Sequence, residues 1–251
     1  MNIDIDAAKT VIRTFNDISD TSRDVLEAKY QSVSKQMFND FCDACGNDAE
    51  LIKATNEIKE LERVLEFDRT SCFQVRTGVI NEDDPEFREV IYSYSPEYEQ
   101  KARYSAENWA EIESKINQSI DRINNSKLVL FKNKKLNSLK NELNKQANLR
   151  NVFLSAEQKD KAKKDCINNG GNEKLETLKK LVSQRKTEIA ENIVATHMST
   201  TPAIICIKQV FANTSSSKNG INVDGNVLND VITKLRADLS EEIINDEVAS
   251  I

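Results

Sequence analysis

The residues able to do acid–base or metal chemistry are few, and the first of them is a single histidine, His197. A zinc protease places two histidines one turn apart on a helix, and a deaminase or two-metal centre needs further imidazole or thiolate donors. One histidine supplies none of these sets. A Ser-His-Asp or Cys-His-Asp centre would have to use His197 as its base. Cys206 or Cys166 would then be the thiol that attacks a thioester or isopeptide carbonyl. Cys42-Asp43-Ala44-Cys45 has C-x-x-C spacing, but zinc needs two more ligands and no second such pair occurs. Thioredoxin-type chemistry needs that pair at a strand-to-helix junction, whereas here it closes a helical pattern. Two cysteines one turn apart on a buried helix face account for it. The phosphate-cradling G-x-x-x-x-G-K-[ST] and G-x-G-x-x-G runs, the G-x-S-x-G elbow and the kinase signatures do not occur. No metal or cofactor is expected, and no catalytic residue is assigned.

Two clusters point to binding instead. Tyr92, Tyr94, Tyr98, Tyr104 and Trp109 hold four of the five tyrosines and the only tryptophan in a stretch of 18 residues. Large, stiff, amphipathic rings are the side chains that anchor protein interfaces; the alternative is a small satellite core. Residues 127–164 carry 11 Lys and Arg, among them Lys127, Lys132, Lys134, Lys135 and Lys140, against Glu142, Glu157 and Asp160. A basic helical hairpin in a chain of net charge −6 suits anionic lipid or an acidic protein. The apolar run Leu128-Val129-Leu130-Phe131 beside Lys132, Lys134 and Lys135 is compatible with contact at a membrane surface. A solvated charged face is the plain alternative. Few aromatics interleave with the lysines, which disfavours nucleic acid.

The elements that must position these clusters are helical. Gly (6) and Pro (3) are scarce in 251 residues, too few for a many-stranded fold. The expected class is all-α: an elongated antiparallel bundle or coiled-coil-like hairpin with a small irregular segment near 68–84. Helical stripes run over 5–18 (Ala7, Val11, Ile12, Phe15, Ile18), from Asp20 or Thr21 to a stop at Gly46 (Val25, Leu26, Tyr30, Val33, Met37, Phe38, Phe41), and from Asn47 or Asp48 through Leu65. The acidic cluster before Pro85 predicts a short helix over 84–95, ending before Pro96. Ser105 with Asn108 is a weak cap for a helix carrying Trp109, Ile112, Ile116, Ile120 and Ile123. Leu136, Leu139, Leu143 and Ala147 line the next. Ser155 to Gln158 reads as a capping box for a further segment that Gly170-Gly171 ends. Thr201-Pro202 should open a buried apolar helix through Ile204, Ile205, Ile207, Val210 and Phe211. Residues 213–225 read as a mobile loop, and a final helix runs from Val227 to Leu239. This divides the chain into N-terminal helices (1–67), a tyrosine-rich connector (68–104), a long-helix bundle (105–200), and C-terminal helices with an acidic tail (201–251), expected to pack as one continuous helical unit.

No stretch is apolar enough to span a bilayer, and Met1-Asn2-Ile3-Asp4-Ile5-Asp6 lacks the basic and apolar regions of a secretory signal. Five cysteines at irregular spacing read as reduced thiols in a cytoplasmic setting. The tail from Leu239 through Glu241-Glu242 to Val248-Ala249-Ser250-Ile251 resembles the glutamate-rich C-terminal signals of effectors exported by bacterial type IV secretion systems. That resemblance covers about a dozen residues and implies delivery into a host cell; it carries no catalytic motif. The function expected is that of a non-enzymatic interaction protein for a protein partner or an anionic membrane surface. A self-assembling structural protein that forms homo-oligomers, and a cysteine-dependent enzyme acting on protein conjugates, are the alternatives.

Overall fold

The computed structural model describes the backbone of residues 5–16, 20–80, 88–126, 130–206, 211 and 214–249, and the side chains of these except 15–16, 20–30, 206 and 243–249. The acidic cluster before Pro85, together with Lys127, Leu128, Val129, Ile207 and Val210, lies outside them. So do the side chains of Phe15, Val25, Leu26, Tyr30, Cys206 and the tail beyond Glu242. Among the described residues are eight α-helices: α1 (Ile5–Asn16), α2 (Asp20–Asn47), α3 (Ala49–Leu65), α4 (Pro96–Glu107), α5 (Trp109–Asn125), α6 (Lys132–Asn168), α7 (Gly171–Thr200) and α8 (Asn226–Ala249). Two antiparallel pairs of strands accompany them: β1 (Gln74–Ile80) with β2 (Glu89–Tyr94), and β3 (Ser215–Lys218) with β4 (Ile221–Asp224). The protein is mostly helical, as its Gly and Pro content predicts. Its contacts group it into unit 1, Met1–Leu61 with Glu173–Ile251, and unit 2, Glu62–Asn172.

Unit 1 is built on the face of α2 formed by Ser34, Met37, Phe38, Phe41, Cys42 and Cys45, all buried. Their alternating spacing of three and one keeps them on one side of a helix with 3.6 residues per turn. Ile189, Ala190, Val194 and Met198 of α7 and Leu228, Ile232 and Leu239 of α8 join the same core. Gly46 does not stop α2, which runs one residue further. A Cβ at Gly46 would sit 2.7 Å from the Lys218 side chain, so it is the close approach of β3 that favours glycine there. Asp48 opens α3 as expected. Its Oδ1 accepts the Leu51 amide at 2.8 Å while Arg185 grips Oδ2 at 2.9 and 3.1 Å.

Residues 215–224 are a tight hairpin rather than a loop. Asn219 (φ 51) and Gly220 (φ 78) are both left-handed, the two positions that a primed hairpin turn requires. Ile221 and Val223 turn into the core while Asn222 and Asp224 face out. The hairpin is tied down by Asn219 Nδ2 on the Gly46 carbonyl (2.8 Å), Lys186 Nζ on the Asn222 carbonyl (2.6 Å) and the Lys218–Asp43 ion pair. Pro202–Cys206 is a 3-10 turn rather than the start of an α-helix, with Ile204 and Ile205 buried; the stretch of the expected helix from Ile207 to Val210 lies outside the described residues. α8 continues to Ala249, past the predicted end at Leu239.

In unit 2 the described part of the segment expected to be irregular, up to Ile80, is a 3-10 turn, Arg69–Phe73, followed by β1. The helix predicted over 84–95 is overturned: Glu89–Tyr94 is a strand. Val90, Ile91 and Tyr92 are residues that fit a pleated ribbon better than a helix. Pro96 begins a helix instead of following one, with Ser95 as cap accepting the Tyr98 amide at 3.2 Å. Ser105 is no cap. It is buried inside α4 and donates to the Lys101 carbonyl, in contact with Gln146 Oε1 at 2.5 Å. Ser155 is likewise interior to α6, a single helix of 37 residues, because neither Gly nor Pro breaks the chain ahead of it. Gly170 (φ 76) ends that helix in the left-handed conformation usual after a C-cap. α4 packs on α6 around Phe73, Ala102, Leu149 and Ala156, and α5 also runs against α6 without adding a buried residue to that cluster.

Candidate functional site

The five aromatics do not form one patch. Tyr92 and Tyr94 project from the same face of β2, beside Arg76 and Gln74 of β1, and both are largely exposed. Tyr98 packs edge-on to Phe73 with ring centres 6.4 Å apart, as part of the unit 2 core. Tyr104 stands out from α4, 60% exposed. Trp109 opens α5 beneath the Arg150 guanidinium, 5.3 Å above its ring, a favourable cation–π position. The opposite face of the β1–β2 ribbon exposes Val75, Ile80 and Ile91.

A polar network that the sequence did not advertise links this ribbon to the core. Glu99 accepts the Tyr94 hydroxyl at 2.6 Å and Arg69 Nη2 at 3.1 Å. Arg69 also pairs with Glu157 and lies over the Phe73 and Phe153 rings at 5.7 and 5.5 Å. The Tyr94 hydrogen bond, opposed by partial burial and helped by Arg69, holds the Glu99 carboxyl below its usual range. A carboxyl that ionises more readily when folded stabilises the fold above its unfolded pKa of about 4.3. That contribution disappears as pH falls through the lower folded value. Urea midpoints read from Trp109 fluorescence should therefore be flat on this account above about pH 5 and fall in acid. Glu99→Gln should make the acid limb shallower, and an unchanged limb would remove Glu99 from the account.

The lysines gather at the start of α6. Lys134, Lys135 and Lys140 are exposed, and Lys132 reaches back to the Asn124 carbonyl at 2.7 Å. Successive steps of about 100° place 132, 134 and 135 around the helix end rather than in a line, with 140 about 12 Å further along. No acidic residue occupies the first turn of α6, so the positive end of the helix dipole adds to the lysines. Immediately before them stand Leu130, 78% exposed, and Phe131, 76% exposed. Phe131 holds a left-handed backbone (φ 56), which L-residues other than Gly and Asn adopt only at a cost of about 1–2 kcal/mol. Leu130 and Phe131 belong with the lysines, and the apolar run of the sequence is the signal that finds them.

The thiol readings fare differently. Burial pushes Cys45 up to about 11 and raises Cys42 as well. Protonated, buried thiols are poor nucleophiles, and the C-x-x-C is a packing feature of α2. His197 Nε2 faces Asp40 Oδ2 at 2.9 Å, a carboxylate rather than a thiol. Among the described residues no group of three or more His, Cys, Asp or Glu could hold a metal ion. No described helix is long and apolar enough to cross a membrane. Comparison with protein-family models, curated proteins and solved structures finds no match to this chain.

Proposed function

We propose that this is a non-enzymatic interaction protein that docks on anionic membrane surfaces through the turn leading into α6. The observation that carries the reading is the adjacent pair Leu130 and Phe131, both more than three-quarters exposed, directly followed by Lys132, Lys134 and Lys135. Apolar tips lower their free energy by entering the headgroup–acyl boundary, and lysines around them meet lipid phosphates. A further element of the reading is that α5 and α6 form an antiparallel hairpin that presents the turn at its end. Two contacts support this: Lys132 meets Asn124 at one end, and Arg150 meets Trp109 at the other.

Each lysine near an anionic surface contributes about 1 kcal/mol. Flotation should therefore be strong with phosphatidylserine-doped vesicles and weak with pure phosphatidylcholine. Joint substitution Lys132→Glu, Lys134→Glu and Lys135→Glu should reduce anionic binding by about 100-fold or more. Equal flotation of the variant and the parent would remove the lysines from the reading.

A further inference from the structure

Within unit 1, α7 and α8 leave between them a groove of about 390 Å³. Its floor is Val194 of α7 with Val227, Val231 and Leu235 of α8. The three α8 residues recur every four positions, so they form an inclined apolar row on one side of the helix. Val194 and Val231 are buried at the bottom of the slot, and Val227 and Leu235 are half-buried, with their outer edges on the groove. From Val227 to Asp238 the lining of α8 covers 11 steps, about 16 Å at the α-helical rise, or three turns. A narrow slot of that length with a ridge of branched aliphatic residues is the shape that accepts one apolar face of another helix.

The rim gives the sign of the occupant. Glu191 lies on the α7 side, and Asp230 and Asp238 on the α8 side, with Lys234 as the one opposing charge in the lining. Among the described residues none of these three carboxylates makes a hydrogen bond or ion pair. Elsewhere on α8 the acidic Glu242 is engaged by Lys9 at 3.1 Å. Exposed carboxylates flanking an apolar floor select a ligand that carries cations on either side of an apolar stripe.

We infer that this groove is a docking site for a basic amphipathic helix of a partner protein, one that lays an aliphatic stripe on Val227, Val231 and Leu235 and sets Lys or Arg against Glu191, Asp230 and Asp238. The groove is built within unit 1 and the turn before α6 within unit 2, and the test of the groove uses no lipid. The probe is a fluorescein-labelled synthetic Leu/Lys amphipathic helix, titrated with the full chain and read by anisotropy, with a Leu/Glu helix of the same pattern as comparison. The Leu/Lys helix should bind and the Leu/Glu helix should not. The double change Asp230→Lys with Asp238→Lys should weaken binding by about tenfold, the size expected from reversing two exposed pairs. These are surface positions, and unchanged circular dichroism and melting would show that the fold is kept. Glu173→Lys with Glu176→Lys makes the same change in net charge on α7 at residues outside the groove lining. Undiminished binding in that control, with loss in the groove variant, supports the site. Equal loss in both variants, no loss in either, or no binding of the Leu/Lys helix overturns it.

Discussion

Phe73→Ala is expected to destabilise unit 2 by about 3–5 kcal/mol, the range for removing a buried phenyl ring and leaving its cavity. The ring has no exposed surface and packs at 6.4 Å on both Tyr98 and Phe153. The cluster around it is small, with Ala102, Leu149 and Ala156 as its other buried members. Two of these three are alanines, so little side chain is available to fill the vacated volume. The loss reaches the charged layer as well, because the Arg69 guanidinium rests on Phe73 and Phe153 while it holds Glu99 and Glu157. Without the phenyl face the arginine keeps its carboxylates and the Phe153 ring but loses one of its two aromatic faces. Total stabilities of domains are about 5–15 kcal/mol, so the change should bring the transition close to native conditions. The measurement is urea unfolding followed by Trp109, the one tryptophan of the chain, which lies in unit 2. Phe73→Leu, which keeps most of the volume, should cost less than half as much. A loss of unfolding free energy below about 1 kcal/mol for the alanine variant would mean that the core of unit 2 is not centred on this ring.

The sequence was legible where one periodicity ran unbroken and illegible where a turn or a paired strand decided the outcome. The α2 face from Met37 to Cys45 and the start of α3 at Asp48 follow from spacing and cap chemistry alone, and the structure agrees. Asn219-Gly220 was equally readable. Asn-Gly between a run of serines and the alternation Ile221-Asn222-Val223 is a hairpin signature, but the polar run around it suggests a loop. What makes the hairpin fold is tertiary: Ile221 and Val223 are buried, and Lys186 and Gly46 supply backbone partners. β2 was missed for the opposite reason. Acidic residues and Pro85 suggested a helix start, and the β-branched and aromatic character of Val90 to Tyr94 decides instead once β1 is there to pair with. Ser105 and Ser155 have the composition of caps, yet Ser105 lies in the last turn of α4 and Ser155 in the interior of α6, since a cap also needs the preceding chain to leave helical geometry. The tyrosines were legible as a cluster in sequence, but not as three different environments. A strand places Tyr92 and Tyr94 on the same face, while six residues along α4 take Tyr98 into the core and Tyr104 out of it. The Arg69–Glu99–Glu157 network joins three separate elements and has no local signature.

Leu130→Asp with Phe131→Asp should abolish membrane binding while leaving the fold intact, and its effect should exceed that of any single lysine change. Burying a Leu or Phe side chain is worth about 1.5–3 kcal/mol, so the pair contributes about 3–6 kcal/mol on insertion. Three lysines add about 3 kcal/mol at an anionic surface. Together these correspond to a dissociation constant in the micromolar range or weaker, once the cost of association is set against them. Loss of the apolar part alone removes about 100-fold or more, and two new carboxylates repel the anionic surface besides. Exposure of 78% and 76% means that neither side chain holds the native core. The melting temperature should therefore stay within a few degrees of the parent, and Phe131→Gly should raise it slightly by relieving the left-handed strain at φ 56. Vesicle binding and melting thus separate the two roles of the turn. The Asp pair should lose flotation at unchanged stability, whereas a loss of both together would show that Leu130 and Phe131 hold the α5–α6 turn closed and that its exposure serves no surface. Salt gives the complementary reading: the lysine contribution weakens above about 0.15 M ionic strength as screening shortens its reach to about 8 Å, while the apolar contribution persists. Binding by the parent that retains a salt-resistant part, and by the Asp pair that retains none, is the pattern this turn predicts.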